Sequence, residues 1–392
     1  MHYASYKKAI LSLCNNRDGY SIAELGRLLE ASIPKVSRIV TEMVNEGTIV
    51  EKGKMRSEGG RRAAVYGLNP DAGCFVGVEV GHEGLIIVVT DFPGQIIQVI
   101  DDIPFTLTNT EESVSALCKT VMHAVDRHGV DRSRVKAYGI SLTGRVNQCT
   151  GYSYSYFISE EKPIRKLLEE GFGSPVIVEN DSRAMAYGEY IAGAGGGEET
   201  SLFLNLGWGL GMGMIVGGKL FYGKSGFSGE IGHFPFLNNN LYCRCGKTGC
   251  LETAASGLAL HRLVGEQLDA GRQSVLTSEY KDGREITLDD ILSAVRKEDI
   301  VAIECIEEVG ATLGRAVAGL INIFNPELVV IGGRLSVAEH YLMPPLRSAV
   351  NKYSLNLVNK DTQIKASVLG KRAGAIGASL LAKDFILSEM QY

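Results

Sequence analysis

No run of apolar residues in this chain approaches the ~20 needed to span a bilayer. The first ten residues, MHYASYKKAI, lack the apolar stretch of a secretory signal. Neither membrane insertion nor export is expected, and the cytoplasm is the default compartment. Positive charge is also in deficit. The formal net charge is -5, which by itself argues against a nucleic-acid binder. The positive charge that exists is gathered at one end: residues 1–70 hold eleven Lys and Arg against seven Asp and Glu, and the remainder holds 29 against 38. A basic head on an acidic body fits a small DNA-binding module carried by a soluble sensor or enzyme.

The 392 residues suit two or three domains. Apolar residues at 45% and charged residues at 22% are ordinary for a globular protein. The 47 glycines point to tight turns and backbone-lined sites. Of the eight cysteines, Cys14, Cys74, Cys118, Cys149 and Cys305 are scattered and read as buried apolar residues or idle thiols. The other three crowd together at Cys243, Cys245 and Cys250, which in a reducing compartment suggests metal more than disulfides.

The head reads as helix, turn, helix, wing. Tyr6 to Cys14 forms a first helix. Ser21 caps a second, with Glu24 three residues on completing a capping box. Ser32 caps a third, with Pro34 in its first turn, where a missing N–H costs nothing. This helix runs to about Asn45 and ends at Gly47, with Val36, Ile39, Val40, Met43 and Val44 inward and Lys35, Ser37, Arg38 and Thr41 outward. Such a polar second face suits a major groove. Strands at Thr48 to Lys52 and Ala64 to Leu68 bracket the loop GKMRSEGGRR, a wing from which Lys54, Arg56, Arg61 and Arg62 reach phosphates or a minor groove. A helical dimerisation module with a solvated basic loop is the plainer alternative.

Beyond a linker at Asn69-Pro70-Asp71, two α/β halves begin alike. CFVGVEVG, LIIVVTD and QIIQVID read as a three-strand meander, and SLFLNLG, GMGMIVGG and KLFYG repeat it from Ser201. Further strands are expected at Ala137 to Leu142, Val176 to Val178, Glu327 to Ile331 and Gln363 to Val368. Gly193, Gly195, Gly196 and Gly197 form either a hinge between the halves or an ordinary surface loop. In the segment GEIGHFPFLNNNLYCRCGKTGCLE, His233, Cys243, Cys245 and Cys250 supply one imidazole and three thiolates, a closed tetrahedral shell for a structural Zn2+. Gly246 and Gly249 permit the chain reversal between ligands, and Arg244 and Lys247 offset thiolate charge.

GEIGH followed by CRCGKTGCLE resembles the signature of the ROK family of repressors, open reading frames and kinases. The segments VIVENDSRAMAYGE, LNLGWGLGMGMIVGGKLFYGKSGFSGEIGH and NPELVVIGG resemble other family motifs, and the GGRR wing resembles the repressor branch, which holds the xylose and N-acetylglucosamine regulators. The resemblance implies an α/β fold: a winged helix-turn-helix joined to a two-lobed, actin-like (ribonuclease-H-like) sugar-kinase body. It implies sugar contacts from Asn180, Asp181, Glu230, His233 and Glu252, whose carboxylates and carboxamide suit a ring of hydroxyls. His233 would bind zinc through one nitrogen and a hydroxyl through the other. Asp181 aligns with the kinases' general base.

The chain departs from the kinases where nucleotide belongs. Asp-x-Gly-Gly-Thr is replaced by Glu79-Val80-Gly81-His82-Glu83, and a carboxylate about 4 Å from a phosphate costs ~1 to 4 kcal/mol. The change to Glu79 also removes the usual magnesium-binding Asp. The second phosphate turn has become Gly207-Trp208-Gly209, with an indole in place of a hydroxyl. No catalytic residue is therefore assigned. Arg183 stands where the kinases have Asn, as a structural ion-pair partner or a receiver of an anionic group, and Thr143-Gly144 replaces a Pro-Gly turn. The expected protein is a sugar-responsive regulator, most simply a repressor released from operator DNA by a sugar or sugar phosphate, as a homodimer or tetramer. The rivals are an active kinase with a DNA-binding head and a regulator controlled by a protein partner. The expected divisions are residues 1–70 for the head, 71–195 with a C-terminal helix over 372–388 for one lobe, and 196–371 for the other.

Overall fold

A computed structural model describes residues 3–54, 63–81, 84–106, 108–157 and 162–390. The head consists of α1 (Tyr3–Asn16), β1 (Tyr20–Ser21), α2 (Ile22–Leu28), α3 (Ile33–Asn45), β2 (Ile49–Lys54) and β3 (Ala64–Leu68), with strand order β1-β3-β2. The Ser21–Glu24 capping box is present in full. Ser32 occupies the N-cap position of α3, but its side chain makes no capping bond; Pro34 removes one of the N–H groups it would have served. Arg56, Arg61 and Arg62 lie outside the described residues, as do His82 and Glu83.

The first large sheet holds β4 (Cys74–Val80), β5 (Leu85–Asp91), β6 (Ile96–Ile103), β7 (Val135–Leu142) and, after the short strands β8 (Val146–Asn147) and β9 (Tyr152–Ser153), β10 (Val176–Asn180). Its order is β10-β7-β4-β5-β6, with α4 (Glu111–Arg127) and α5 (Ile164–Phe172) in the crossovers. The second sheet repeats that plan. It holds β11 (Thr200–Leu206), β12 (Leu210–Val216), β13 (Lys219–Leu220), β14 (Leu328–Gly332) and β15 (Gln363–Ala366) in the order β13-β12-β11-β14-β15. In both, the first three strands form an antiparallel meander and the fourth pairs parallel with the first. Around the second sheet lie α6 (Asp181–Ala192), α7 (Gly257–Asp269), α8 (Thr277–Lys281), α9 (Leu288–Arg296), α10 (Ile300–Phe324), α11 (Glu339–Tyr353), α12 (Asn356–Asn359) and the start of α13 (Ala373–Glu389). Both of its faces are covered, so its strands are apolar on both sides. Leu202, Leu204, Leu206, Val329 and Ile331 face the larger core, and Phe203, Leu328 and Val330 alternate toward the other.

The divisions differ from the sequence expectation at two places. One compact unit comprises 1–144, 150–179 and 378–392; the other comprises 145–149 and 180–377. The boundary near α6 is therefore at 179/180, not 195/196. The reason is β12, where Gly211 and Gly213 bring its backbone against α6: a Cβ at Gly211 would meet Ser182 Oγ at 2.1 Å, and one at Gly213 would meet Ala186 Cβ at 2.3 Å. Gly193 to Gly197 thus lie inside the second unit. They are fastened there by the fully buried Glu189, which accepts the Ala194 N–H at 2.8 Å, the Leu369 N–H at 2.9 Å and the Ser367 hydroxyl.

Nor are residues 1–70 a separate body. Tyr6, Ile10, Leu11, Leu25, Ile39 and Met43 of the head share one core with Phe75, Phe92, Ala137, Ile177, Ala382 and Leu387. Asn69-Pro70-Asp71, expected as a linker, belongs to a short 3₁₀ turn capped by Asn69. The Asn15 amide also donates to Asp384 at 2.8 Å. A single bond to a carboxylate contributes about 1.5–3 kcal/mol, the same as about 1.5–3 kcal/mol for each large apolar side chain buried, and the seam buries many of these, so it dominates.

Helix α13 approaches its neighbours at backbone distance. A Cβ at Gly377 would meet the Ala184 carbonyl oxygen at 1.7 Å. Gly377→Ala is expected to lower stability by about 1–3 kcal/mol. Gly265→Ala, in α7 with its nearest foreign atom at 3.9 Å, should gain about 0.5–1 kcal/mol. Thermal denaturation of both variants checks this; a Gly377→Ala protein melting with or above the parent would contradict the close packing.

Candidate functional site

Five of the residues singled out by sequence lie in the second unit in two contact groups, Asn180 with Asp181, and Glu230, His233 and Glu252 around Cys243. Asn180 ends β10 and caps α6: its Oδ1 accepts the N–H groups of Ser182 and Arg183, both at 3.1 Å, and its Nδ2 donates to Asp181 Oδ1 at 2.9 Å. Asp181 opens α6, where a carboxylate is favoured by the helix dipole. Its Oδ1 also accepts the Ser182 N–H at 2.7 Å. Glu230 precedes a 3₁₀ turn at Ile231–His233, which brings its Oε2 to 3.9 Å from His233 Nε2. Desolvation holds the Glu230 carboxyl above the ordinary value. The Asp181 charge adds to the rise, and His233, Arg183 and Arg145 oppose it.

His233 has two faces. Nε2 looks toward Glu230, and Nδ1 lies 3.5 Å from Cys243 Sγ. The chain after it folds back as a hairpin in which Pro235 pairs with Cys250 and Tyr242 with Thr248. The reversal uses Gly246 and Gly249 at φ of 84° and 77°, a region other residues rarely adopt. Cys245 Sγ and Cys250 Sγ lie 3.6 Å apart, and all four ligand atoms fall within 4.8 Å of one another. A tetrahedral shell with metal–sulfur bonds near 2.3 Å has edges of about 3.7 Å, so the four donors fit a single metal ion. Burial pushes the Cys243 thiol up to about 12, with Glu252 nearby adding to the rise. A cation among the sulfurs reverses that balance.

Glu252, expected at the sugar, sits on the thiolate side of the cluster. Its Oε2 accepts the Leu210 N–H at 3.0 Å, and its Oε1 lies 3.8 Å from Cys243 Sγ and 3.7 Å from Arg244. Arg244 thus stands beside the carboxylate that touches Cys243. Arg183 is 2% exposed. It donates to the Val146 carbonyl at 2.8 Å and lies 5.7 Å from the Tyr222 ring centre. These contacts hold the buried guanidinium in place.

The turn Gly207-Trp208-Gly209 is pinned to the start of α7. The Gly257 N–H donates to the Gly207 carbonyl at 2.9 Å and the Leu258 N–H to the Trp208 carbonyl at 3.0 Å; Ser256 Oγ takes the Ala259 N–H at 3.1 Å. Those are the amides a helix N-terminus would offer a phosphate. The half-buried indole packs on the large core, 5.8 Å from the His261 ring.

In the head, Lys35, Arg38 and Thr41 are exposed on α3 and Ser37 is half-buried. Ser37, Arg38 and Thr41 line an open groove with Pro34, Glu42 and Asn45. Lys35 lies 4.0 Å over the Tyr6 ring, and Lys54 is exposed at the last described position of the wing. Sequence reasoning missed two supporting residues. Buried Lys7 joins Glu42 and Glu46 at 2.6 Å each, tying α3 to α1. Burial acts to lower the Lys7 pKa, but its two carboxylate partners hold it above the ordinary value. A lysine on the apolar face of α1 was the available signal. The second is Asn205 in β11, whose amide donates to Ser182 Oγ at 3.3 Å.

A winged helix-turn-helix sharing a core with a duplicated α/β body that carries a polar site beside a His/Cys cluster defines a DNA-binding protein built on a sugar-kinase fold. The model of the ROK family matches residues 75–385, and this chain is a member of that family. It is 29% identical to a xylose repressor of Caldicellulosiruptor bescii over 377 residues, covering 95% of this chain and 94% of the relative. That span is too long to leave out the head. A glucokinase of Halalkalibacterium halodurans is 32% identical, over 79% of this chain and 95% of its own. Among solved structures, a ROK family transcriptional regulator, a homolog of the E. coli MLC protein, superposes with a TM-score of 0.81 at 26% identity, covering 98% of this chain and 96% of that one.

Cys250→Ser should remove most of the metal bound per chain and lower the melting temperature, while Cys149→Ser, at an exposed thiol, should do neither. Elemental analysis with a thermal melt checks both; equal metal content in the two variants would dismiss the cluster.

Proposed function

We propose that this chain is a sugar-responsive transcriptional repressor. Its winged helix-turn-helix holds operator DNA and lets go when a sugar or sugar phosphate occupies the polar site of the second unit. The observation that carries the reading is the union, in one chain, of an exposed recognition face on α3 and a ROK body. The relative from C. bescii, named a xylose repressor, supports it.

In this reading Lys35, Ser37, Arg38 and Thr41 face the major groove, and Lys54, Arg56, Arg61 and Arg62 serve the backbone or minor groove. Sugar hydroxyls meet Asp181, Glu230 and His233, with Asn180 and Glu252 holding that set in place and adding contacts of their own. The ion held by His233, Cys243, Cys245 and Cys250 is Zn2+. Four protein donors leave no open position, so it serves as a structural cross-link that orients the His233 ring. Occupation of the site moves α6, and through it α13, whose far end lies in the head's core. A coupling of ~1–3 kcal/mol changes operator affinity 5- to 150-fold. A dimer reads two half-sites about one helical turn or a multiple apart. The cytoplasm is the compartment in which such a regulator meets DNA, and among the described residues no helix is long and apolar enough to cross a membrane.

The rival is an active sugar kinase, favoured by the glucokinase relative and by the retained Asp181. Against it stand the engaged amides at the start of α7 and the indole of Trp208. A coupled ADP-release assay over a panel of sugars decides: no turnover is expected, and turnover abolished by Asp181→Ala would establish the kinase. For the regulator, Arg38→Ala should weaken operator binding by about 1–3 kcal/mol and spare random DNA, as read by gel shift with the two DNAs. Asp181→Asn should abolish release by the effector sugar without loss of DNA binding. Operator affinity unmoved by Arg38→Ala, or by every carbohydrate offered, would refute the proposal.

A further inference from the structure

After proline, glycine is the poorest residue for the interior of a helix, so a mid-helix glycine calls for a reason. Gly265 lies in the middle of α7, and its φ is not positive. A Cβ there would meet no atom nearer than the Tyr280 hydroxyl oxygen at 3.9 Å. Neither an unusual backbone angle nor a close neighbour requires the missing side chain. What its absence leaves is space. Gly265 lines a cavity of about 220 Å³ whose aliphatic wall is Val264 and Leu268 of α7, Ile291 of α9 and Ile286 just before α9.

The polar residues of the same wall have engaged their polar ends with one another and with nearby groups. His261 Nε2 lies 2.8 Å from the Ile286 carbonyl oxygen, so that nitrogen carries the proton of the neutral ring and Nδ1 is left as an acceptor. The Tyr280 hydroxyl donates to Asp269 at 2.8 Å. The Arg284 guanidinium is shared between Glu279 at 2.7 Å and Asp290 at 2.9 Å. Glu285 completes the lining as an exposed residue. A sugar or an anion entering this space would give up water for too few new hydrogen bonds, whereas an apolar ring gains from leaving water. An engineered apolar cavity of about 150 Å³ holds benzene, with six carbons. In proportion, this one holds about nine or ten non-hydrogen atoms.

The cavity also adjoins a reporter. The His261 ring centre is 5.8 Å from that of Trp208, the single tryptophan of the chain. Trp208 belongs to the turn that is pinned to the first turn of α7.

We propose that this cavity between α7, α8 and α9 is a binding site for a small uncharged aromatic molecule of alkylbenzene size, separate from the polar site. The assignment goes beyond the regulator reading and does not depend on what the polar site binds.

Titration of the full chain with n-butylbenzene, followed by Trp208 fluorescence and by thermal melting, tests it. The parent should show a saturable change in emission and a higher melting temperature. Benzoate, which carries a charge on the same ring, should bind at least about ten-fold more weakly. Gly265→Leu fills the space, and should lower the affinity for butylbenzene at least about ten-fold while melting at or above the parent. Gly265→Ala fills less of it and should weaken binding by a smaller step, which keeps the test available should leucine not be tolerated. A parent with no saturable response, benzoate binding as tightly as butylbenzene, or glycine variants that respond like the parent would each overturn the assignment; the last result would place the probe on apolar surface elsewhere. Neither DNA nor sugar enters the measurement, so its failure is distinct from failure of the regulator reading.

Discussion

Two consecutive residues of α13 sit against the backbones of other elements, and the rest of the architecture depends on that closeness. A Cβ at Gly377 would meet the Ala184 carbonyl of α6 at 1.7 Å, and the Ala378 carbonyl would lie 1.9 Å from a Cβ at Gly139 in β7. The division between the two compact units falls between these residues. On one side, α13 is pressed to the helix whose first turn holds Asn180 and Asp181. On the other, it is pressed to the first sheet and runs on to Ala382 and Leu387 in the core of the head. Close-packed contacts of this kind transmit displacement because they have no slack to absorb it.

The polar site follows a related economy: groups that look like ligands also hold one another. Asn180 spends its carbonyl oxygen on two helix N–H groups, and Glu252 spends one oxygen on Leu210. Arg183 is buried against a carbonyl and a ring. Asp181, Glu230 and the Nε2 side of His233 form the set proposed to meet a sugar. The metal cluster lies behind that set, at the Nδ1 side, so one imidazole belongs to both. Four donors brought within 4.8 Å of one another from positions 233 to 250 can hold one metal ion and, if all four bind it, leave it no open position.

Much of this was legible in the residues. The alternating apolar runs marked the strands of both sheets, because side chains on a strand point alternately to its two faces. Ser21 with Glu24, the spacing of the apolar residues on α3, and Gly47 marked the head. His233 with Cys243, Cys245 and Cys250 declared itself by spacing alone. The boundary at 179/180 was not legible, since it depends on how closely Gly211 and Gly213 admit α6. A glycine shows where close approach is possible, not what approaches. The same limit hid the engagement of the Gly207-Trp208 turn with the first turn of α7.

The amino-acid order by itself determined the local elements, the grouping of His233 with Cys243, Cys245 and Cys250, and the polar face of α3, because each depends on periodicity or on neighbours within a few tens of residues. The tertiary structure alone decided that the head shares its core with a helix more than 300 positions away, that Arg183 reaches the Val146 carbonyl, and that Glu252 lies beside Cys243. Those outcomes rest on which distant surfaces exclude water together, and packing of that kind leaves no mark in local spacing.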